Sequence, residues 1–318
     1  MIKLIMNWKW VQWLILQAKH FSFIGLEDIP VYQVWKMFIK SLNEGVLTQR
    51  AAAISFSFFL ALFPTIMVFF TLIPYLPIQG FQLELMEVIN MILPEATNAW
   101  IVGIINDIIT REQGGVLTIG FILTLFFASA GFKSILIAFN SSVHEEDKPI
   151  GFFRLQWVSV VLLLTFTFTS VITISAIIFN NFILSWLFDE GLLKERALYY
   201  LIQSGNWLLI LSMVQFMIAT LYYFGGRHKA RFKIISAGST VFTVVMVLLV
   251  VLIFDFYIDN FNSYNVLYGS IGTLLIVLMW IYIISYVLLL GFEINSSIQA
   301  AKRQKLDQEL EDLISDLS

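Results

Sequence analysis

The chain has 318 residues, of which 59% are hydrophobic and only 13% charged, with a formal net charge of −3. A soluble protein of this length needs about twice that share of charged side chains to cover its surface, so a soluble globular fold is excluded, and so is disorder. With no cysteine, disulfides, thiolate nucleophiles and thiolate-held metals are excluded as well, and the slight negative charge speaks against a nucleic-acid partner.

Residues 1–49 read as amphipathic helices lying in the cytoplasmic membrane interface. Trp8, Trp10 and Trp13 sit beside lysines, as interfacial helices require. A cleaved signal is disfavoured because Lys9, Gln12 and Lys19 interrupt the apolar run. A second helix is expected over Val31–Asn43, with Val31, Val34, Trp35, Phe38 and Leu42 on one face set along the membrane.

Six stretches then reach the ~20 apolar residues that a spanning helix needs. They are Ala51–Pro77, Gly115–Phe139, Val158–Trp186, Gly205–Phe224, Ile234–Tyr257 and Ser270–Phe292. Helices are the reading because an open sheet leaves backbone groups unsatisfied in lipid. The long connection 78–114 reads as an outer hairpin of two short amphipathic helices broken near Pro94. The fold class expected is therefore all-α, a polytopic membrane protein with a six-helix domain over 50–295 and a polar tail over 296–318. In that tail Leu306, Leu310, Leu313 and Leu317 form a stripe at helical spacing.

Lys and Arg set the orientation. Sixteen of the nineteen positives fall in the N-terminal segment, the second-to-third and fourth-to-fifth connections, the inner part of the second span and the tail. Arg111, Lys194 and Arg196 fall on the other side. Both termini are expected in the cytoplasm.

No catalytic motif stands out. His20, His144 and His228 are far apart and lack metal-ligand spacing. Glu145, Glu146 and Asp147 read as a solvated turn before Pro149. Neither a metal nor another cofactor is expected.

The stronger leads are polar or ionisable groups at membrane depth, where charge is costly. Lys133 lies inside the second span and either snorkels inward or faces a polar cavity. Asn140 closes that span, and Gln215 sits in the fourth, with Asn180 near the outer end of the third. Pro64, mid-way along the first span, frees a carbonyl and bends a helix. Asp255 and Asp259 are four apart and share one helical face. Glu293 ends the last span, where Arg50 at the start of the first is placed to pair with it. Tyr264, Tyr268, Gly269 and Gly272 mark the outer entrance of the last span, either as a tight helix start with interfacial aromatics or as the lining of an outer mouth.

Two of these groups belong to longer motifs. One is Arg50-Ala51-Ala52-Ala53-Ile54-Ser55-Phe56, running to Leu62-Phe63-Pro64. The other is Tyr264-Asn265-Val266-Leu267-Tyr268-Gly269-Ser270-Ile271-Gly272, leading to Trp280-Ile281-Tyr282 and Leu288-Leu289-Leu290-Gly291-Phe292-Glu293-Ile294-Asn295. In order and spacing they resemble the YihY/BrkB family of bacterial inner-membrane proteins over residues 30–300. Phe292 stands where members of that family often carry alanine. The resemblance implies a six-helix protein of the cytoplasmic membrane. It also implies the family's labels: a virulence factor, and in some members a former name as ribonuclease BN. A role in moving lipids or envelope components is suggested for related proteins.

The expectation is a non-enzymatic transporter or exporter of a lipid-like or amphipathic substrate. Arg50, Pro64, Lys133, Asn140, Gln215, Asp255, Asp259, Tyr264, Tyr268, Gly269, Gly272 and Glu293 are its pathway candidates. Membrane lipids and a second copy of the chain are the partners considered. A membrane scaffold or regulator of envelope integrity is the alternative, and a membrane nuclease or lipid hydrolase stands behind both.

Overall fold

A computed structural model of the protein describes residues 29–44, 46–72, 114–143, 151–189, 196–226 and 235–317, and within the last of these the side chains of 235–249 and 274–315. The fold is all-α. Six helical runs follow in order: α1 Val31–Glu44, α2 Leu47–Leu72, α3 Gly114–Asn140, α4 Phe152–Asp189, α5 Arg196–Gly225 and α6 Ala237–Leu317. Five segments among the described residues are long and apolar enough to cross a membrane: Leu47–Val68, Gly114–Asn140, Phe152–Ile177, Ile202–Gly225 and Leu274–Ser315. Their outward faces stay apolar, with Phe126, Phe168 and Leu208 at 65%, 68% and 72% exposure. That is the surface a lipid solvent demands and water penalises.

The last run is not one straight rod. At 1.5 Å per residue, Gly238 and Asn295 would lie about 85 Å apart in an ideal helix. Instead the Gly238 N–H donates to Asn295 Oδ1 at 2.8 Å. The path therefore returns on itself between these two residues, and the short apolar arm Ala237–Leu249 lies against the arm that carries Glu293.

The second arm continues past the polar boundary expected at 295/296. Helix α6 runs unbroken to Leu317. Ile298 and Ala301 are buried with Ile29 and Val34 in one small core, flanked by Met37, Ala237 and Ile294. In the second N-terminal helix Val34 is buried against α6, while Trp35 stays 59% exposed. Val34 and Ser41 are the buried positions of α1, with Met37 partly buried between them. The expected interfacial helix around Trp8–Trp13, the outer hairpin and the charged turn Glu145–Asp147 lie outside the described residues.

By its internal contacts the chain divides into two compact units, Met1–Ile54 with Phe132–Ser318, and Ser55–Gly131. In the second unit α2 and α3 approach through glycine. The Gly120 Cα faces Met67 and Val68, and Gly131 faces the Phe58 ring. Pro64 is buried in this unit, and α2 runs through it without a break. Proline lacks the N–H that would bond the carbonyl four residues back. Just beyond it, the Thr65 hydroxyl donates to the Ala61 carbonyl at 2.7 Å.

Candidate functional site: a buried charged node

The first unit holds the site. Glu293 projects from the second arm of α6 and is fully buried at 0% exposure. Its carboxylate accepts hydrogen bonds from three other segments. Arg50, in the first turn of α2, donates from Nη1 to Oε1 at 2.8 Å. Ser142, in the turn that ends α3, donates to Oε2 at 2.7 Å. Ser41 of α1 donates to the same Oε2 in a short contact. Arg50 itself is buried, at 9% exposure.

Local structure explains how these groups meet. Helix α2 begins three residues after α1 ends, and Val46, just before it, takes a left-handed φ of 46°. For a β-branched residue that conformation is strained. It lets the Val46 carbonyl accept from Gln49 N at 3.2 Å and Arg50 N at 3.3 Å, starting α2. Ser41 and Arg50 are thereby brought to one carboxylate from consecutive helices. At the end of α3, Ser141 N bonds the Ile137 carbonyl at 3.0 Å and Ser142 N bonds Phe139 O at 3.1 Å, so a tight turn aims the Ser142 hydroxyl inward.

An aromatic wall adjoins the node. Phe292 stacks on Phe139 with centroids 4.0 Å apart and planes within 3°. Tyr222 meets both rings edge-on and donates its hydroxyl to the Leu288 carbonyl at 2.8 Å. This packing exists because neighbours lack side chains. A Cβ on Gly225 would enter the Phe139 ring, and one on Gly291 would meet the Tyr222 hydroxyl. The Phe292 that departs from the family pattern thus completes a dry wall beside Glu293.

A second, neutral cluster ties α5 to α6 and the two arms of α6 together. Gln215 donates to Ser239 Oγ at 2.7 Å and accepts from Thr243 at 2.6 Å. Asn295 donates to Ser236 Oγ at 2.9 Å while accepting from Gly238 N. Here Gln215 works as interhelical glue.

The other sequence-selected residues disperse. Lys133 lies over the Phe152 ring, its Nζ 4.7 Å from the centroid, a cation–π contact in place of the polar cavity considered for it. Asn140 donates to the Leu136 carbonyl at 2.5 Å, one turn back in α3, and reaches the Gly225 carbonyl of α5 at 3.5 Å, beside the aromatic wall. Pro64 belongs to the other unit. Asp255, Asp259, Tyr264, Tyr268, Gly269 and Gly272 lie on helical backbone, but their side chains are outside the described residues. Sequence reasoning paired Arg50 with Glu293 and missed Ser41 and Ser142. Among the described residues no three His, Asp or Glu side chains gather as metal ligands.

Five apolar helices long enough to cross a membrane, among the described residues, mark a multi-pass α-helical membrane protein. The chain belongs to the virulence factor BrkB family, whose model matches residues 38–312. It is 27% identical over 271 residues to YfkH of Bacillus subtilis, a protein named as ribonuclease-like, covering 85% of this chain and 94% of that one. It is 26% identical to a UPF0761 membrane protein of Aggregatibacter aphrophilus, covering 86% of this chain and 95% of that one. A UPF0761 membrane protein of Haemophilus influenzae matches at 26%, covering 84% and 96%. No solved structure matches the chain.

Proposed function

We propose that the protein is a transporter of an amphipathic, lipid-like envelope substrate in a bacterial inner membrane, and that the Glu293 node is the latch of its cytoplasmic side. The observation that carries this reading is a fully buried carboxylate held by donors from three other chain segments. Burying an ion pair costs several kcal/mol in desolvation, and apolar side chains of the same volume often hold helices together as well or better. Ionisable groups at membrane depth are by default functional. A latch that must open has reason to use a charge pair, because water entering the opened site repays its desolvation.

The doubled-back path of α6 supports six crossings rather than five, and the positive-charge bias supports cytoplasmic termini. The reading is non-enzymatic. The ribonuclease-like name of the Bacillus subtilis relative is the competing reading, and an RNA-cleavage assay on the same purified protein tests it directly.

The transport test uses protein reconstituted in liposomes with a fluorescent lysophospholipid. Wild-type protein should speed its passage between leaflets above protein-free vesicles. Replacing the pair with Arg50→Met and Glu293→Leu should leave folded protein with altered transport. Wild-type vesicles no faster than empty ones sink the transport reading.

A further inference from the structure

We propose that the end of α6 pairs in parallel with the same segment of a second copy of this chain. Leu306, Leu310, Leu313 and Leu317 follow spacings of four, three and four. That is the d–a–d–a seam of a coiled coil. Leu306, Leu310 and Leu313 are 49%, 57% and 59% exposed, and Ile314 beside them is 67% exposed. The helix presenting them is continuous with the buried arm that carries Glu293, so the seam stands on a rigid support.

Charge selects the occupant. Asp307, Glu309, Glu311 and Asp312 surround the seam and are exposed. An anionic lipid surface would be repelled by them, which argues against this face lying on the membrane. Copies inserted in one membrane with one orientation project their tails from the same face, so pairing is parallel. In that arrangement a g residue faces the e residue five positions further along the other helix. Lys302 then faces Asp307 of the second copy, and Glu309 faces Ile314 of the second copy. No like charges meet across these g–e positions, and Arg303, at the a position before Leu306, is the one charge that meets its own copy, which sets the start of the seam at Leu306. The seam is short, but tethering to two membrane domains in one bilayer raises its effective concentration.

The inference does not rest on the transport reading. The chain contains no cysteine, so single-cysteine cross-linking needs no background removal. Leu310→Cys places a thiol on the seam, and Gln308→Cys places one on the opposite face. Oxidation of the full chain in membranes should give a disulfide-linked dimer for L310C at about tenfold the yield of Q308C. Equal yields, or no dimer from L310C, overturn the proposal. As a second measurement, Leu310→Asp combined with Leu313→Asp should lower the fraction of two-step photobleaching spots in supported bilayers about tenfold. An unchanged two-step fraction overturns it. So do single-step spots from wild type, the result expected if another part of the same chain covers the seam.

Discussion

Two polar clusters lie in the same unit and are built on opposite principles. The Gln215–Ser239–Thr243 and Asn295–Ser236–Gly238 contacts join helices with neutral amides and hydroxyls. The Glu293 node joins helices with a full charge pair. Neutral interhelical hydrogen bonds in membranes are worth about 0.6 kcal/mol each on average, and they leave little penalty when lost. A buried ion pair carries a large desolvation cost, and removing one partner costs about 3–5 kcal/mol. Adhesion needs only the first kind of cluster. The presence of the second within a turn of the first, at Glu293 beside Asn295, is the reason to assign it a task other than adhesion.

The largest expected effect falls on the neutral cluster, and not through its polar groups. Gly238 sits where a Cβ would drive into the Gly291 carbonyl and the Asn295 amide. Neither arm of α6 can yield to that, so Gly238→Val should abolish recovery of folded protein on size-exclusion chromatography. A monodisperse peak at wild-type yield would mean the two arms do not approach so closely.

Next comes the node. Glu293→Gln removes the negative charge that Arg50 faces, and should destabilise by about 3–5 kcal/mol. The drop is measurable as a lower unfolding temperature by tryptophan fluorescence. Arg50→Met with Glu293→Leu should recover most of that loss. If the double variant is as unstable as the single one, the pair is structural and the contrast with the neutral cluster collapses.

Gln215→Leu should cost about 1 kcal/mol, since Ser239 and Thr243 keep backbone partners at Ser236 and Ser239. A loss as large as that of Glu293→Gln would erase the distinction between the clusters. The smallest effect is a gain. Val46→Gly relieves the left-handed strain beside the node and should raise stability by about 1 kcal/mol. A fall in unfolding temperature would show that the Val46 side chain contributes more than its strain costs.

The helices were legible in the sequence because lipid leaves few solutions: about 20 apolar residues and internal backbone bonding. The Arg50–Glu293 pair was legible because two charges bounding apolar runs have few other partners. Gln215 stood out as a polar group inside an apolar span, but its partners Ser239 and Thr243 did not. Ser41 and Ser142 were not. Serine is common in this chain, and no local pattern marks a hydroxyl that reaches a carboxylate 252 or 151 residues away. Composition marked 296–318 as a polar tail, and no pattern in it showed that Ile298 and Ala301 are buried there by α1.

By itself, then, the sequence determined the all-α membrane class, the approximate places of the apolar helices and the charges without lipid-compatible places to go. Those follow from one-dimensional quantities, hydropathy and charge along the chain. Only the tertiary structure decided that Glu293 takes two hydroxyls as well as a guanidinium, that glycines set the contact between the arms of α6, and that α1 buries Val34 against α6. These depend on distances between segments far apart in the chain, which the order of residues does not encode locally.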